Sequence, residues 1–552
     1  MADNGIDRND INNDDDSGTS LLPASFAVAH KGVDGVTAPA IAHSPWRRMR
    51  RCKTVKDAVH GLMSLPIGLF AFIDTPEFQR LRRIKQLGSL QLVYDGATHT
   101  RFEHSLGTAY VAGRWMAHFV RQQTLVARRL AGLRLKAATI ECAMTSSEAS
   151  SAAVDTSRGA SPRTSRRSDA ERLARTRIKM ASLEDRIVAI TEDDIFLVQV
   201  AALCHDLGHG PFSHAFERLV NDRPRETPWH HEEVSCALVR RVNERIGLLT
   251  ADEVERVEAM IRGHVVEEKR AFLYRVVHNG LNSIDADKFD YLLRDAYATG
   301  VDAHCDVDRL IEYSRIEGGE ICFRESEYHN LLQLFRTRLH MHRQVYSHPV
   351  GKAVALMVGD ALRAAEPGLG LFAAIERDDP DAFIAATDDL LGEIRRRAVS
   401  GEPAFASAGA LLERMDTRDL YRFVAEIRMP TTDEAPAQRV LPTLWMALTA
   451  AGLAADARTS VITLDYAMGA ANPLKRVPFY ESEWRRACAG GSASSQAFES
   501  SVPDLARGSS VYVYATGSHA VQAVQRVVAH WGATIGSREG YGLLVSPKLK
   551  SH

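Results

Sequence analysis

One apolar stretch of the chain, Ile195–Leu203, leads directly into a group of histidines. Thr191, followed three residues later by an acidic residue, matches the start of a helix. The pattern therefore predicts a buried helix whose carboxyl end carries His205 and Asp206 into the core. His209 would lie on the same helical face as His205, and the glycines and proline at positions 208, 210 and 211 would end the helix.

Two earlier segments also have helical patterns. Asp74 followed by Pro76 predicts a capped helix that continues towards residue 88. Apolar residues at helical spacing after Arg101 predict a second helix, with His104 near its start.

A later polar segment places Asp287, Tyr291 and Asp295 four residues apart, so one helical face would carry all three. Asp290 and Arg294 can pair on another face of this helix. Asp287 could also be only a first-turn carboxylate that the helix dipole favours.

The rest of the chain predicts a mainly α protein with a small C-terminal mixed α/β lobe. Residues 331–398 look helical, residues 461–464, 511–514 and 541–545 look like strands, and residues 520–531 look like a helix. We therefore divide the chain into a helical domain, 51–450, and a lobe, 451–552.

Two segments have too little apolar periodicity for a packed core. Residues 1–50 predict a disordered acidic tail, and residues 143–180 predict a disordered Ser/Arg-rich insertion. The arginines of the insertion could contact nucleic acid or act as a targeting signal, although a solvated linker is the simpler interpretation.

The composition is that of an ordinary globular protein, with a net charge of -2 and 25% charged residues. Its seven cysteines are spaced singly, which suits a reducing compartment and argues against thiolate zinc sites. No signal peptide or run of about 18 apolar residues is present. These features predict an intracellular, soluble protein of the nucleus or cytoplasm, with no membrane partner.

The candidate chemistry lies in His104, His205, Asp206 and Asp287, which offer two imidazoles and two carboxylates. Such a set suits Fe, Mn, Zn, Ni or Co and leaves positions open for water. The alternative is a core histidine that pairs with an aspartate. A bound metal ion would favour phosphoester hydrolysis, because it lowers the pKa of water and neutralises phosphoryl charge.

Other polar residues could serve that reaction. Four residues could transfer protons or contact phosphate oxygens, namely His209, His214, Glu217 and His231. Three cations could bind a polyphosphate, namely Arg101, Lys288 and Arg338.

Several segments together carry a family resemblance. The order His104, His205-Asp206, Asp287 resembles the signature of HD-domain phosphohydrolases. More closely, IDTPEFQRLRRIKQLG, RFEHSLG, LCHDLGHGPFSH, IDADKFDYLLRD and LDYAMGAANPLKRVPFYE resemble the SAM-and-HD-domain deoxynucleoside triphosphate (dNTP) triphosphohydrolases. The resemblance runs from Lys53 to the C-terminus apart from the insertion, whereas residues 1–45 are too polar to form a SAM domain.

The resemblance implies a helical HD-domain core that hydrolyses a dNTP, by attack at the α-phosphorus, to deoxynucleoside and inorganic triphosphate, and so controls dNTP pools. It implies metal ligation by the four residues above and catalytic assistance by His209, His214, His231 and Glu217, the last standing at a family aspartate position. The substrate-binding residues that it implies are Gln86, Leu87, Arg101, Lys288, Tyr291, Asp295, Arg338 and Tyr346.

The resemblance also implies allosteric control, in which bound nucleotides, accompanied by Mg, assemble dimers into an active homotetramer. It implies further that the lobe at 451–552 serves oligomerisation and regulation. A primary site that binds the activator GTP or dGTP would use Lys53, Asp74, Gln79 and Arg82. A second nucleotide site would use Val93, Tyr94, Arg315, Arg324, Asn330, His348, Arg418 and Arg422. At the second site Lys56, Ser326 and Pro349 depart from the residues that the family leads us to expect.

Two alternatives remain open. The chain could be another HD-domain phosphohydrolase that acts on a nucleoside monophosphate, a cyclic nucleotide or guanosine tetraphosphate. It could instead be a nucleotide-sensing or single-stranded nucleic-acid binding protein with a vestigial site, although all four metal ligands are present.

Overall fold

The structure is a computed structural model of the chain, and it is mainly helical as the sequence predicts. The described residues are 51–151, 162–184, 186–225, 227–429, 436–469, 471–480, 508–538 and 540–546. The predicted acidic tail, residues 1–50, therefore lies outside the described residues.

The helices are numbered along the chain. They are α1 (Phe70–Ile73), α2 (Pro76–Gln79), α3 (Arg101–Ser151), α4 (Pro162–Glu184), α5 (Glu192–Cys204), α6 (His214–Asn221), α7 (His231–Ile246), α8 (Ala251–Arg262), α9 (Ala271–Val277), α10 (Ala286–Thr299), α11 (Val307–Glu312), α12 (Tyr328–Met341), α13 (Pro349–Leu369), α14 (Leu371–Glu376), α15 (Pro380–Ala385), α16 (Leu390–Val399), α17 (Ala406–Asp416), α18 (Pro436–Ala450) and α19 (Val521–Trp531).

The strands form three small sheets. They are β1 (Cys52–Asp57), β2 (Gly61–Pro66), β3 (Ser314–Glu317), β4 (Glu320–Arg324), β5 (Arg422–Met429), β6 (Ala457–Leu464), β7 (Phe479–Tyr480), β8 (Gly508–Ala515) and β9 (Gly542–Val545). β1 and β2 form a hairpin, β3, β4 and β7 form the second sheet, and the third has the order β6-β8-β5-β9 with antiparallel pairing throughout.

The apolar helix α5 lies in the main core, packed against α3, α8 and α9. Its predicted start is confirmed, because the Thr191 hydroxyl accepts from the Asp194 amide at 3.1 Å and the Asp194 carboxylate accepts from the Thr191 amide at 2.8 Å. The helix ends at Cys204, before any of the glycines. The Ser235 hydroxyl donates to the carbonyl of His205 at 2.7 Å and accepts from the Gly208 amide, which ends the helix early.

The predicted helix from Asp74 to residue 88 is wrong in its cap and in its length. Thr75 caps α2, since its hydroxyl accepts from the Phe78 amide at 3.4 Å, whereas Asp74 ends α1. After α2 the chain tightens into a 3₁₀ turn, Arg80–Arg83, which turns the Arg80 side chain into the core.

The prediction of disorder over residues 143–180 is wrong for the described part of that segment. α3 continues to Ser151 and α4 begins at Pro162, while residues 152–161 lie outside the described residues. The two helices run antiparallel, since Arg134 pairs with Glu184 and Arg177 with Glu141. Ala and Arg favour helix, and only a narrow stripe between two helices is buried, so the apolar pattern is weak.

The C-terminal lobe has its own core between the β6-β8-β5-β9 sheet and the helices α18 and α19. The strands and the helix predicted for this lobe are present. However, β5 pairs with both β8 and β9, so the lobe begins well before the predicted boundary at residue 450. The Tyr514 hydroxyl donates to the Pro349 carbonyl at 2.9 Å, which links this sheet to α13.

None of the helices in the described part of the chain is both long enough and apolar enough to span a membrane.

Candidate metal centre and active-site cavity

The four predicted metal ligands meet at one point, where α3, the end of α5 and the first turn of α10 converge. The Nε2 atom of His104 lies 3.1 Å from Asp287 Oδ1 and 3.4 Å from Asp206 Oδ2. The Nε2 atom of His205 lies 3.5 Å from Asp287 Oδ1 and 3.4 Å from Asp206 Oδ1. Two imidazoles and two carboxylates thus face one small volume.

A metal ion fits this volume. The Nε2 atoms of His104 and His205 are both buried without a hydrogen-bond partner, which is costly unless a further group satisfies them. Donor atoms of these histidines and of Asp287 lie within 4.8 Å of one another. The nitrogen and oxygen donors match a divalent transition metal.

A layer of hydrogen bonds behind the ligands aims their Nε2 atoms at this volume. The Nδ1–H group of His104 donates to Asp290 at 2.7 Å, and that of His205 donates to the Ala202 carbonyl at 2.9 Å. A Cβ atom on Gly107 would lie 1.9 Å from the Asp290 carboxylate, so only glycine lets α3 and α10 approach this closely. The sequence indicated only a pair with Arg294 for Asp290, and that pair is present at 2.9 Å.

The carboxylates of the centre favour a bound cation. Burial lowers the pKa of His104, but the carboxylates of Asp287, Asp290 and Asp206 outweigh burial and raise it to about 10. Burial also lowers the pKa of His205, but the carboxylates of Asp206 and Asp287 outweigh burial and raise it. Protons on these imidazoles therefore occupy the place that a metal ion would take.

We accordingly expect metal affinity to fall as pH falls. Each imidazole must be neutral to bind metal, and the raised pKa of His104 keeps it protonated below about pH 10, so binding at neutral pH must release a proton. Affinity for Mn²⁺ should weaken by about tenfold per pH unit between pH 8 and pH 6 for each proton released. Calorimetry in buffers of different ionisation enthalpy would count the protons, and a pH-independent affinity without proton release would contradict this prediction.

A second group of histidines lies beside the metal centre. The His209 and His231 rings stack with centroids 3.8 Å apart, and His231 donates to Glu217 at 3.1 Å. The His214 ring lies 5.0 Å from His209 and also faces Glu217. Burial raises the pKa of Glu217, but hydrogen bonds from His214 and His231 outweigh it and hold this pKa well below its ordinary value. Glu217 therefore stays a carboxylate that can support a protonated imidazole.

The loop that carries His209 and His214 is strained. Phe212 and Ser213 have φ angles of 59° and 55°, in the left-handed region that non-glycine residues avoid. Two side chains hold it: the buried Arg80 donates to the Leu207 carbonyl at 2.9 Å and to the His209 carbonyl at 2.7 Å, and the half-buried Asp388 accepts from the Phe212 amide at 2.7 Å. Sequence reasoning missed both, because they are far from the loop along the chain.

A cavity of about 570 Å³ opens over the metal ligands, a size typical of ligand sites. All the residues that the family resemblance assigned to substrate line it, namely Gln86, Leu87, Arg101, Lys288, Tyr291, Asp295, Arg338 and Tyr346. The structure therefore brings these eight residues together from five separate segments of the chain.

Three of the lining residues are cations. Arg101 lies beside the metal centre, with its guanidinium against Asp206 and its Nε–H donating to Ser213 at 2.7 Å. Lys288 pairs with Asp285 at 3.1 Å, and Arg338 donates to the Asp465 carbonyl at 2.7 Å. These cations are thus fixed in place around the cavity.

Hydroxyl groups line the cavity as well. The Tyr346 hydroxyl donates to Asp295 at 2.7 Å, and His99 donates to the other oxygen of that carboxylate at 2.7 Å. Burial raises the pKa of Tyr291 to about 12, so its hydroxyl remains neutral. These groups suit a neutral part of a ligand that can form hydrogen bonds.

Sequence reasoning missed four basic residues and one strand that also line the cavity. They are Arg218, His278, His342, Lys352 and Val461–Thr463 of β6. Arg218 lies four residues after His214, and His342 lies four residues before Tyr346, so their helical spacing from assigned residues was an available signal. No local signal pointed to His278, Lys352 or β6, which tertiary packing places there.

The four residues predicted for a primary guanine-nucleotide site cluster on the surface, with Asp74, Lys53 and Arg82 exposed. Gln79 donates to the carbonyl of Ile73, next to Asp74, at 2.8 Å, and Arg82 donates to Gln79 at 2.8 Å. Lys53 lies over the ring of Phe70, at the start of the same short helix.

The residues predicted for a second nucleotide site fall into two groups. The Tyr94 and His348 rings lie 5.9 Å apart, and Arg418 donates to the Leu92 carbonyl, beside Val93. The remaining residues have other partners within the chain. Arg315 pairs with Glu317, Arg324 lies over Tyr313, Asn330 bonds to Asp306, and Arg422 lies near Asp419.

Comparison with known proteins identifies related sequences. Residues 170–296 match the model of the HD domain. The deoxynucleoside triphosphate triphosphohydrolase SAMHD1 homolog of Dictyostelium discoideum is 34% identical over 381 residues, which cover 69% of this chain and 61% of that protein.

Vertebrate relatives match over a longer part of the chain. Deoxynucleoside triphosphate triphosphohydrolase SAMHD1 of Homo sapiens is 30% identical over 78% of this chain and 65% of its own length, and that of Bos taurus is 30% identical over 78% and 69%. The chain spans less than two thirds of the length of the Dictyostelium and human proteins. With its HD domain and its assembled His/Asp centre, the chain belongs to the family of SAMHD1-like HD-domain proteins.

Proposed function

We propose that this protein is a metal-dependent dNTP triphosphohydrolase, which converts a dNTP and water into deoxynucleoside and inorganic triphosphate. The observation that carries the proposal is one cavity at the His104, His205, Asp206 and Asp287 centre that is lined both by the cations Arg101, Lys288 and Arg338 and by the hydroxyl groups of Tyr291 and Tyr346. A nucleoside triphosphate offers matching groups, with phosphates for the cations and a sugar for the hydroxyl groups. The names of the relatives support this substrate.

The bound divalent ion would supply an acidified water and neutralise phosphoryl charge. Arg101, Lys288 and Arg338 bind the phosphate oxygens and stabilise the charge that develops on them. Arg101 also holds Asp206 in place, which couples phosphate binding to the metal centre.

The reaction forms a bond from the water oxygen to the α-phosphorus and breaks the bond from that phosphorus to the 5′ oxygen. The 5′ oxygen then needs a proton. The His214 side chain is 71% exposed towards the cavity and lies next to Glu217, whose carboxylate supports the protonated imidazole. We assign His214 as the proton donor, with His231 and Glu217 orienting it and His209 between this group and the metal centre.

Tyr346, Asp295 and Tyr291 would surround the deoxyribose, together with Gln86 and Leu87. The Tyr346 hydroxyl already donates to Asp295, so a sugar that packs here meets a fixed pair. A 2′-hydroxyl would have to displace that pair or lie unsatisfied against the Tyr291 ring, which disfavours ribonucleotides.

Ion-exchange analysis of the products tests the reaction. Metal-replete protein is incubated with dGTP, and with dATP in the presence and absence of GTP. Deoxynucleoside and triphosphate in equal amounts would support the proposal. Release of phosphate or pyrophosphate instead would favour another HD-domain phosphohydrolase, and no hydrolysis in any mixture would favour a binding protein.

We further propose that GTP or dGTP, with Mg, binds at Lys53, Asp74, Gln79 and Arg82 and promotes a homotetramer that regulates dNTP pools. A carboxylate and an amide can read a guanine edge, and the two cations can bind its phosphates. In this proposal the second nucleotide site forms only between subunits. It brings together Val93, Tyr94, Arg315, Arg324, Asn330, His348, Arg418 and Arg422.

Asp74→Ala is expected to raise the GTP concentration needed for half-maximal dATP hydrolysis by about tenfold or more, because a charge-assisted hydrogen bond to guanine is lost. Asp252→Ala, which removes an exposed carboxylate from α8, is the matched control. Activation curves and sedimentation of both variants would check the prediction. The same GTP dependence and assembly in Asp74→Ala as in the control would remove Asp74 from the activator site.

A further inference from the structure

We propose that Asp388 is a positioning residue, whose ionised carboxylate joins two walls of the active-site cavity and so holds the proton donor in place. This inference rests on the function proposed above. Asp388 does not line the cavity itself. It lies between α15 and α16, outside the residues 170–296 that match the HD domain.

The two oxygens of this carboxylate accept from backbone amides of two different segments. Oδ1 accepts from the Phe212 amide at 2.7 Å, and Oδ2 accepts from the Lys85 amide at 2.8 Å. The Asp388 amide in turn donates to the Arg83 carbonyl at 3.1 Å, which fixes the residue against the second of these segments. One side chain therefore bridges two segments that are distant along the chain.

Each bridged segment carries residues of the cavity. Lys85 is followed directly by Gln86 and Leu87, which line the cavity where we place the sugar. Phe212 is followed two residues later by His214, the proposed proton donor, which lines the same cavity. The position of the proton donor relative to the sugar-binding wall therefore depends on both bonds to the bridging carboxylate.

The two segments are also packed directly against each other. A Cβ atom on Gly88, whose φ angle is 54°, would lie 3.3 Å from the Phe212 carbonyl oxygen. Phe212 and Ser213 themselves have positive φ angles, which non-glycine residues keep only where their surroundings hold them. Loss of the bond to Asp388 should therefore let this loop relax and move His214 away from the reacting phosphate.

Only an ionised carboxylate can serve both amides fully. Each of its oxygens accepts, whereas a protonated carboxyl oxygen accepts more weakly and the side-chain nitrogen of asparagine only donates. Protonation of Asp388, or its replacement by asparagine, would thus leave the amide of either Lys85 or Phe212 without a good acceptor.

Mild acid is enough to protonate this group. Burial raises the pKa of Asp388 to about 6, although the two amides and the nearby cations oppose the rise. The cations that face the carboxylate are Arg80, Lys85 and Arg101. The neighbouring Asp389 is exposed and pairs with Arg83. We therefore expect the bridge to be intact above about pH 6 and to be lost as pH falls through this value.

The variant Asp388→Asn tests the role in the full-length protein with excess MnCl₂, saturating GTP and saturating dATP. At pH 7.5 we expect kcat to fall by about 10- to 100-fold, because the proton donor is misplaced, while the metal content stays that of the wild type. Between pH 8 and pH 5 the ratio of wild-type to variant kcat should decrease with a midpoint near pH 6, because the wild type loses the same bond in acid. The ratio cancels the titration of groups that both proteins share.

The matched control is Asp389→Asn, which removes the charge of the adjacent, exposed carboxylate. It should keep the wild-type kcat at every pH. Loss of metal together with kcat in Asp388→Asn would show a general structural role and would overturn the proposal.

Hydrogen–deuterium exchange gives a readout that needs no turnover and, in the wild type, no variant that has to fold. The wild-type amides of Lys85 and Phe212 should lose protection together below about pH 6, after correction for the intrinsic pH dependence of exchange. At pH 7.5 one of these two amides should exchange at least about tenfold faster in Asp388→Asn than in Asp389→Asn.

The outcomes separate the bridge from the proposed function. If the wild type releases triphosphate from dATP but Asp388→Asn has the kcat and protection of Asp389→Asn at every pH, the bridge is wrong and the proposed function stands. A kcat ratio and a wild-type protection that do not change with pH would likewise overturn the role of the ionised carboxylate. If protection of the two amides depends on Asp388 but no dNTP is hydrolysed, the bridge stands and the proposed function is wrong.

Discussion

Replacing His205 and Asp206 together by alanine is expected to abolish metal binding and to reduce triphosphate release from dNTP by at least about 10³-fold. The variant removes one imidazole and one carboxylate from the four-ligand centre and leaves Arg101, which pairs with Asp206, beside the metal volume without its partner. Two ligands cannot hold a divalent ion against its hydration, so no acidified water would form at the reacting phosphate. Metal analysis of the purified protein and product chromatography measure the two losses separately.

The matched control is His264→Ala/Asp252→Ala, which removes the same side chains from exposed positions at the two ends of α8. It should keep both metal content and turnover. Metal-dependent triphosphate release by the His205/Asp206 variant, at a rate near that of this control, would show that the reaction uses another centre.

Replacing Asp290 by asparagine should affect both the metal and the fold, although Asp290 touches neither metal nor substrate. Its carboxylate is fully buried and accepts from His104 at 2.7 Å, from His60 at 2.7 Å and from Arg294 at 2.9 Å. Asparagine is neutral, so the positive charge of Arg294 loses one of its counter-charges, and the His104 ring is no longer held by a carboxylate. We expect the free energy of unfolding to fall by about 3 kcal/mol and metal affinity to fall by about 10- to 100-fold.

The pH dependence of this loss has a definite sign. Burial raises the pKa of Asp290, but Arg294 and the hydrogen bonds from His104 and His60 outweigh burial and hold it well below its ordinary value of 3.8. The stabilisation is therefore complete above about pH 4 and is lost as pH falls further, so the difference between wild type and variant should shrink in acid.

Urea denaturation at neutral and acidic pH, with metal titration in parallel, measures these effects of Asp290→Asn. Asp308→Asn is the control, because Asp308 is an exposed carboxylate whose partner, Arg114, is itself partly exposed, and such pairs contribute little. Wild-type stability and metal affinity in Asp290→Asn would show that the Asp290 network does not support the centre.

The local sequence pattern was enough to predict the helices that carry the metal centre. Thr191 and its capping partner, the apolar run of α5, and the helical spacing after Arg101 all appear in the structure as the sequence indicates. These signals lie within one or two turns of a helix, so neighbouring residues in the sequence contain the whole physical cause.

The sequence predictions were wrong where residues distant along the chain determine the local structure. Ser235 ends α5 early, burial of Arg80 ends the helix that follows Thr75, and the pairing of α3 with α4 orders a segment whose composition suggested disorder. β5 belongs to the C-terminal sheet although its partner strands lie about 80 to 120 residues away along the chain. A periodicity search cannot detect such pairings.

The sequence by itself determined the kind of chemistry, because imidazoles and carboxylates in the order His104, His205, Asp206 and Asp287 suit few purposes besides a metal. Only the tertiary structure decided which groups support that centre: Asp290 behind His104, and Arg80 and Asp388 around the strained loop. A residue's chemical type is known from the sequence, whereas its pKa depends on burial and on neighbours that folding brings from distant segments.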